Sequence, residues 1–246
     1  VSTPAAPAQR ILAQTRFEAT TILRNGEQFL VSIILPLMAL VALTYSPFPE
    51  LDEPRIDVVA PGVLALAVVS IAFTGQAIAT GFDRRYGVLR LLGVTPLGRG
   101  GLIVGKTLAV LLFYLLQAAI LGGVALVLGW RPALVGLLPL AITLVCGVLA
   151  FVSFALLIAG TMRAEAVLAV ANLLWVVFLG LGLVIPTGEL PGTVGAAAAW
   201  LPPGLLGDAA RAAAIDGAWP WLAWLLLLLW GAVAALLARR SFRWSD

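Results

Sequence analysis

Six stretches of this 246-residue chain run almost without charge, and each approaches the ~20 residues an α-helix needs to cross the hydrocarbon of a bilayer. They lie at 29–46, 59–82, 102–129, 134–160, 165–186 and 219–238. The first is short and carries Pro36; Lys106, near the start of the third, is the one charge that falls within a stretch rather than at its flanks. A soluble protein can bury one such helix, but six leave too little polar surface to face water. Only 11% of the residues are charged, against about 25% in a soluble domain. The expected fold is an all-α integral membrane bundle of six transmembrane helices, occupying 29–246.

The sparse charge is unevenly placed. With the N-terminus inside, Arg10, Arg16, Arg24, Arg84, Arg85, Arg90, Arg99, Lys106, Arg163, Arg239, Arg240 and Arg243 share the inner side. Arg55, Arg131 and Arg211 fall outside, and Glu50, Asp52, Glu53 and Asp57 make the first outer loop acidic. Basic loops stay in the cytoplasm. The split therefore predicts a multi-pass protein of the inner (plasma) membrane with both termini cytoplasmic, and an odd number of spans would scramble it. A net charge of +3 is too weak a bias to suggest nucleic acid. Histidine is absent, which excludes Ser-His intramembrane proteases, His-ligated metalloproteases and His-ligated haem. Cys146 is alone, so no disulfide forms within the chain. No nucleophile–base pair or acid dyad lies within the spans, and no metal or cofactor is expected on this chain.

The connecting segments differ in character. Residues 1–8 are too poor in bulky apolar side chains for a signal-peptide core and read as a flexible tail. Over 9–28, Ile11, Leu12, Ala19, Ile22 and Leu23 recur at helical spacing among Arg and Thr, the pattern of an amphipathic helix lying at the membrane interface. A soluble helix beside the membrane has the same pattern. The outer segment 187–218 holds Pro191, Pro202 and Pro203 and many small residues. Two short helices dipping into the outer leaflet and a surface loop both fit it, because Asp208, Arg211 and Asp216 would be costly deep in lipid. Trp219, Trp221 and Trp224 read as interface anchors at one end of the last span, with Trp244 beyond the other.

The longest inner connection, 83–101, carries four arginines: Arg84, Arg85, Arg90 and Arg99. Tyr86, Leu89 and Leu92 fall on one side of a short helix that Gly93 and Thr95-Pro96 would end. Such a helix is either a handle on which a soluble partner pushes or a basic loop resting on anionic lipid. Tyr86-Gly87-Val88-Leu89-Arg90-x-Leu92-x-x-Thr95-Pro96-Leu97 resembles the Gly-Thr-Leu…Thr-Pro-Leu stretch of ABC type-2 permeases, the membrane subunits of ATP-binding cassette exporters, in a form closest to the drug-exporter branch. Leu23-Arg24-Asn25 followed by Pro36 is similar to that family's entry helix and first span. Leu201-Pro202-Pro203, Asp208, Arg211 and Gly217 look like its Pro…Arg…Gly segment before the last span. The chain departs from the pattern at Arg85, often acidic in the family, at Val88, often Thr, and at Arg90, acidic in many members.

The resemblance implies a permease subunit whose 83–101 segment is a cytoplasmic coupling helix. Arg84, Arg85, Tyr86, Gly87, Leu89, Arg90, Leu92, Thr95 and Pro96 would then meet an ABC ATPase, with the arginines supplying charged contacts and Leu89 and Leu92 the packed face. Six spans are half an exporter, so a second permease subunit, identical or homologous, would complete the path through the lipid bilayer. Gln76, Thr80, Gln117 and Asn172 are the polar in-span candidates for its lining; interhelical hydrogen bonding explains each of them as well. Gly100-x-x-x-x-Gly105-Lys106-Thr107 matches the phosphate-loop pattern letter for letter. That loop needs a strand before it, a helix after it and an acid in a soluble sheet, and here a span begins at 102. ATP and Mg are therefore expected on the partner ATPase. The substrate expected is a hydrophobic drug or amphiphile. Export of lipid or polysaccharide, and a non-transporting membrane anchor for a soluble complex, are the alternatives.

Overall fold

A chain in hydrocarbon has no water to satisfy its amides, so apolar runs of this length close their hydrogen bonds within helices. The computed structural model describes residues 5–24, 26–47, 54–93 and 95–241, and all regular structure among them is helical. Asn25, Glu50, Asp52, Glu53, Arg243, Trp244 and residues 1–4 of the expected tail lie outside the described residues.

The elements are α1 (Pro7–Arg24), α2 (Gly26–Tyr45), α3 (Arg55–Val68), α4 (Gln76–Arg85), α5 (Val88–Gly93), α6 (Gly98–Val127), α7 (Leu137–Thr161), α8 (Ala164–Phe178), α9 (Gly192–Ala198), α10 (Pro202–Asp216) and α11 (Trp221–Ser241). A π-helical stretch, Val69–Gly75, joins α3 to α4, so that Arg55–Arg85 is one long helix. Five helices among the described residues are long and apolar enough to cross a bilayer: Arg55–Arg85, Gly100–Val127, Leu134–Thr161, Ala164–Leu183 and Trp221–Ser241. The remaining expected span corresponds to α2, whose described apolar part, Ser32–Tyr45, is shorter.

Arg55–Arg85 is the most deeply buried of the five and forms the centre, with α2, α6, α7, α8 and α10 packed around it. Phe73 from its π-helical stretch meets Phe151 of α7 and Phe178 of α8, with ring centroids 5.4–6.3 Å apart in tilted and edge-on arrangements. Trp175 of α8 donates to the Ser70 hydroxyl at 2.9 Å. α11 lies along α7, and Trp224 is buried there, donating its indole N–H to Thr143 at 2.7 Å. It is thus a packing residue, whereas Trp219 and Trp221 remain exposed and stack on each other.

Within 187–218, α9 is mostly exposed, with Gly195 and Ala198 turned inward. α10 is buried against α3 and α7; Asp208 and Arg211 are matched from within the chain, and Asp216 is exposed. α8 continues into a π-helical stretch, Leu179–Leu183, that breaks where Gly182 turns left-handed (φ 93°), leaving its last carbonyls without helical partners. Arg211 fills that gap, donating to the carbonyls of Gly182 at 2.7 Å and Leu183 at 3.0 Å, and to Asp208 at 2.6 Å. Asp208 also accepts from the Thr187 hydroxyl at 2.5 Å. Burial pulls the Arg211 guanidinium below its ordinary pKa, and Asp208 offsets part of the fall. Gly207 permits the approach: a Cβ there would lie 2.1 Å from the Gly182 carbonyl. Leu201 as N-cap, Pro202 and Pro203 in the first turn and left-handed Gly217 at the end define the helix that holds Arg211 in place.

Arg211→Met uncaps these carbonyls and leaves Asp208 without its cation. We expect a loss of about 3 kcal/mol, read as a lower midpoint of thermal unfolding in detergent. A midpoint equal to wild type would show that the cap is not structural.

Candidate functional site at the basic end

The α4–α5–α6 turn, the α7–α8 corner and the end of α11 lie at one end of the bundle, with Arg84, Arg85, Arg90, Lys106, Arg163, Arg239 and Arg240. Helix α4 stops at Tyr86, and Gly87 (φ 75°) reverses the chain into the six-residue α5. Thr95 closes the next turn, its amide and hydroxyl both donating to the Leu92 carbonyl, at 3.1 and 2.6 Å. A short helix therefore stands where the spacing predicted one.

Its orientation differs from the expected one. Leu89 is 1% exposed and faces the bundle, and Leu92 is half-buried. Arg84 is buried and donates to the Met162 carbonyl at the α7–α8 corner, while Arg85 pairs with Glu165 in the first turn of α8. These two arginines tie α4 to α8, and Leu89 packs inward because an apolar side chain gains more against its own core than at a wet surface. The residues left facing outward are Tyr86, stacked on Phe82, together with Arg90, Leu91, Thr95 and Pro96. Leu91 is 70% exposed and lay outside the expected contact set.

Beneath this surface lies an ion cluster that periodicity did not reveal. Lys106 of α6, 2% exposed, donates to Asp83 of α4 at 2.7 Å and to Glu18 of α1 at 3.1 Å. Gln14 bonds Glu18 at 2.8 Å, and Arg10 donates to the Pro96 carbonyl. Helix α1 thus lies against α6 with Gln14 and Thr15 inward, and Leu12, Phe17 and Leu23 outward. Gly105 makes this possible, since a Cβ there would sit 2.7 Å from Gln14. The phosphate-loop match resolves physically: Gly100, Gly105, Lys106 and Thr107 are all helical, with Gly105 and Lys106 forming a docking surface for α1. A lone lysine inside a predicted span, which must find a carboxylate, was the signal that could have located the cluster.

The four in-span polar residues do not converge. Gln76 donates to Thr80 at 2.8 Å within α4, both buried. Gln117 donates to the Ser32 carbonyl at 2.5 Å, joining α6 to α2. Asn172 lies on the exposed face of α8, bonded to the Leu168 carbonyl of its own helix at 2.9 Å. Thr80 alone of the four lines an open cavity of about 650 Å³ between α4, α5, α6, α7 and α11.

The profile of a family described as ABC-2 type transporter matches residues 9–215, from α1 to the last turn of α10. The chain belongs to that family. A search of curated proteins finds no match. An ABC-2 transporter protein of this kind is the membrane permease component of an ABC transporter, not its ATPase, and is a multi-pass membrane protein. The matched region takes in the exposed α5 surface, the Lys106 cluster and the Arg211 cap.

Lys106→Met leaves Glu18 and Asp83 without their cation, and we expect a loss of about 3 kcal/mol in detergent unfolding. Adding Glu18→Gln and Asp83→Asn should recover most of it, since a neutral cluster is tolerated where an orphaned charge is not. If Lys106→Met matched wild type in stability, the cluster would not be what fixes α1.

Proposed function

We propose that this permease exports a hydrophobic drug or amphiphile, driven by an ABC ATPase that docks on α5. The observation that carries the reading is the exposed set Arg90 and Leu91 on α5 with Tyr86, Thr95 and Pro96 flanking it, the other side of the helix being anchored by Leu89. Arg90 offers a charge-assisted contact and Leu91 an apolar one. Arg84 and Arg85 act behind this face, passing its displacement to α8 through Met162 and Glu165. Lys106 passes it to α1, so that α1, the end of α4 and the start of α6 move as one block. ATP and Mg bind the partner, and the basic end is cytoplasmic with both termini.

A second permease subunit completes the path. Asn172 favours pairing along α8: its amide stands on an outward face that includes Leu168, Leu173 and Val176, where a polar group gains from a protein neighbour. Six spans from each subunit would enclose the route, with α2 as the first. The drug-like substrate rests on the likeness of the 86–97 stretch to the drug-exporter branch.

Arg90→Glu with Leu91→Asp tests the docking face. Both side chains are exposed, so the permease should fold and insert normally. Co-purification with the ATPase and substrate-stimulated hydrolysis should fall at least about tenfold, the size of losing one good charged contact. Undiminished stimulation with the partner still bound would move the docking site elsewhere.

A further inference from the structure

The cavity at the basic end plays no part in the docking face, and its walls define an occupant. α11 leans on α7, while α6 packs chiefly on α1 and α3, and a gap remains between α6 and α11. Its floor is apolar and buried: Leu89, Leu102, Val152 and Leu156. Small side chains, Ala235 and Ala238, keep it open on the α11 side. At the rim, Ile103 and Ala235 are exposed on spanning helices, so the mouth opens sideways toward lipid.

Five polar side chains line it. They are the cations Lys106 and Arg239 and the hydroxyls of Thr80, Thr107 and Ser153, with no carboxylate among them. Lys106 is already matched by Glu18 and Asp83, which leaves Arg239, exposed at the last turn of α11, as the charge a ligand would meet. About 650 Å³ of apolar space falls within the ~300–1,000 Å³ of ordinary small-molecule sites. An apolar slot opening to the bilayer with a guanidinium at its end fits an acyl chain joined to a negatively charged headgroup.

We infer that this cavity is a binding site for one anionic phospholipid of the surrounding membrane, its acyl chain between α6 and α11 and its phosphate on Arg239. The site lies within one subunit and does not depend on which protein docks on α5.

Native mass spectrometry of the intact chain in non-ionic detergent, with added phosphatidylglycerol or phosphatidylcholine, reads the site. The expected result is one phosphatidylglycerol retained in preference to phosphatidylcholine. Arg239→Gln should reduce that retention about fivefold, the worth of one basic side chain at an anionic headgroup, while leaving phosphatidylcholine unaffected. Arg240→Gln, next in sequence but outside the cavity lining, should change neither. Ala235→Trp, an exposed position where a large ring fills the mouth, should remove both lipids. Equal retention of the two lipids, an equal loss in Arg240→Gln, or full phosphatidylglycerol retention in Ala235→Trp would each overturn the assignment.

Discussion

An ammonium group inside a spanning helix persists only where carboxylates meet it, and the two that meet Lys106 come from two other helices. Glu18 draws α1 against α6, and Asp83 fixes the last turn of α4 beside both. The position of α5 follows, because it hangs between the end of α4 and the start of α6 with Leu89 packed inward. Arg10 on the Pro96 carbonyl closes the same arrangement from the far side of the turn. Without the cluster, α1 would keep Arg10 on the Pro96 carbonyl and Ile22 against the core, while Leu12, Phe17 and Leu23 point away from the bundle.

The opposite end is organised by a second buried cation with another task. Arg211 meets backbone carbonyls rather than a neighbouring helix's acid, and it stabilises the break that follows α8. Cations near a helix C-terminus are favoured by the dipole as well as by the hydrogen bonds. Proline at the start of α10 and glycine at its end serve that single side chain, which explains how Arg211 can lie inside the protein beside Asp208 while Asp216 stays exposed.

Much of this was legible in the sequence. Apolar run length located the five described helices long enough to span, and Gly93 with Thr95-Pro96 marked the end of α5, since both signals are local and set by backbone chemistry. Which face of α5 points inward was not legible: Leu89, Leu91 and Leu92 are chemically alike, and only the position of the bundle decides among them. Arg85 departs from its family's pattern, and its partner, Glu165, could not be read from spacing because it lies 80 residues away. Lys106 was visible as an anomaly, yet Glu18 and Asp83 could be matched to it only after α1 had a place to lie. Asp208 and Arg211 seemed too polar for the interior because their acceptors are backbone atoms, which spacing does not show.

In the proposed transporter, α1 and the start of α6 form one block that carries the motion of α5. Spin labels at Leu12 of α1 and Val104 of α6, both exposed, report on it directly by pulsed electron resonance in the assembled transporter. The account predicts one narrow distance distribution, the same without nucleotide and with ATP trapped on the partner. A shift of several ångströms between those states, or two populations in either, would contradict it.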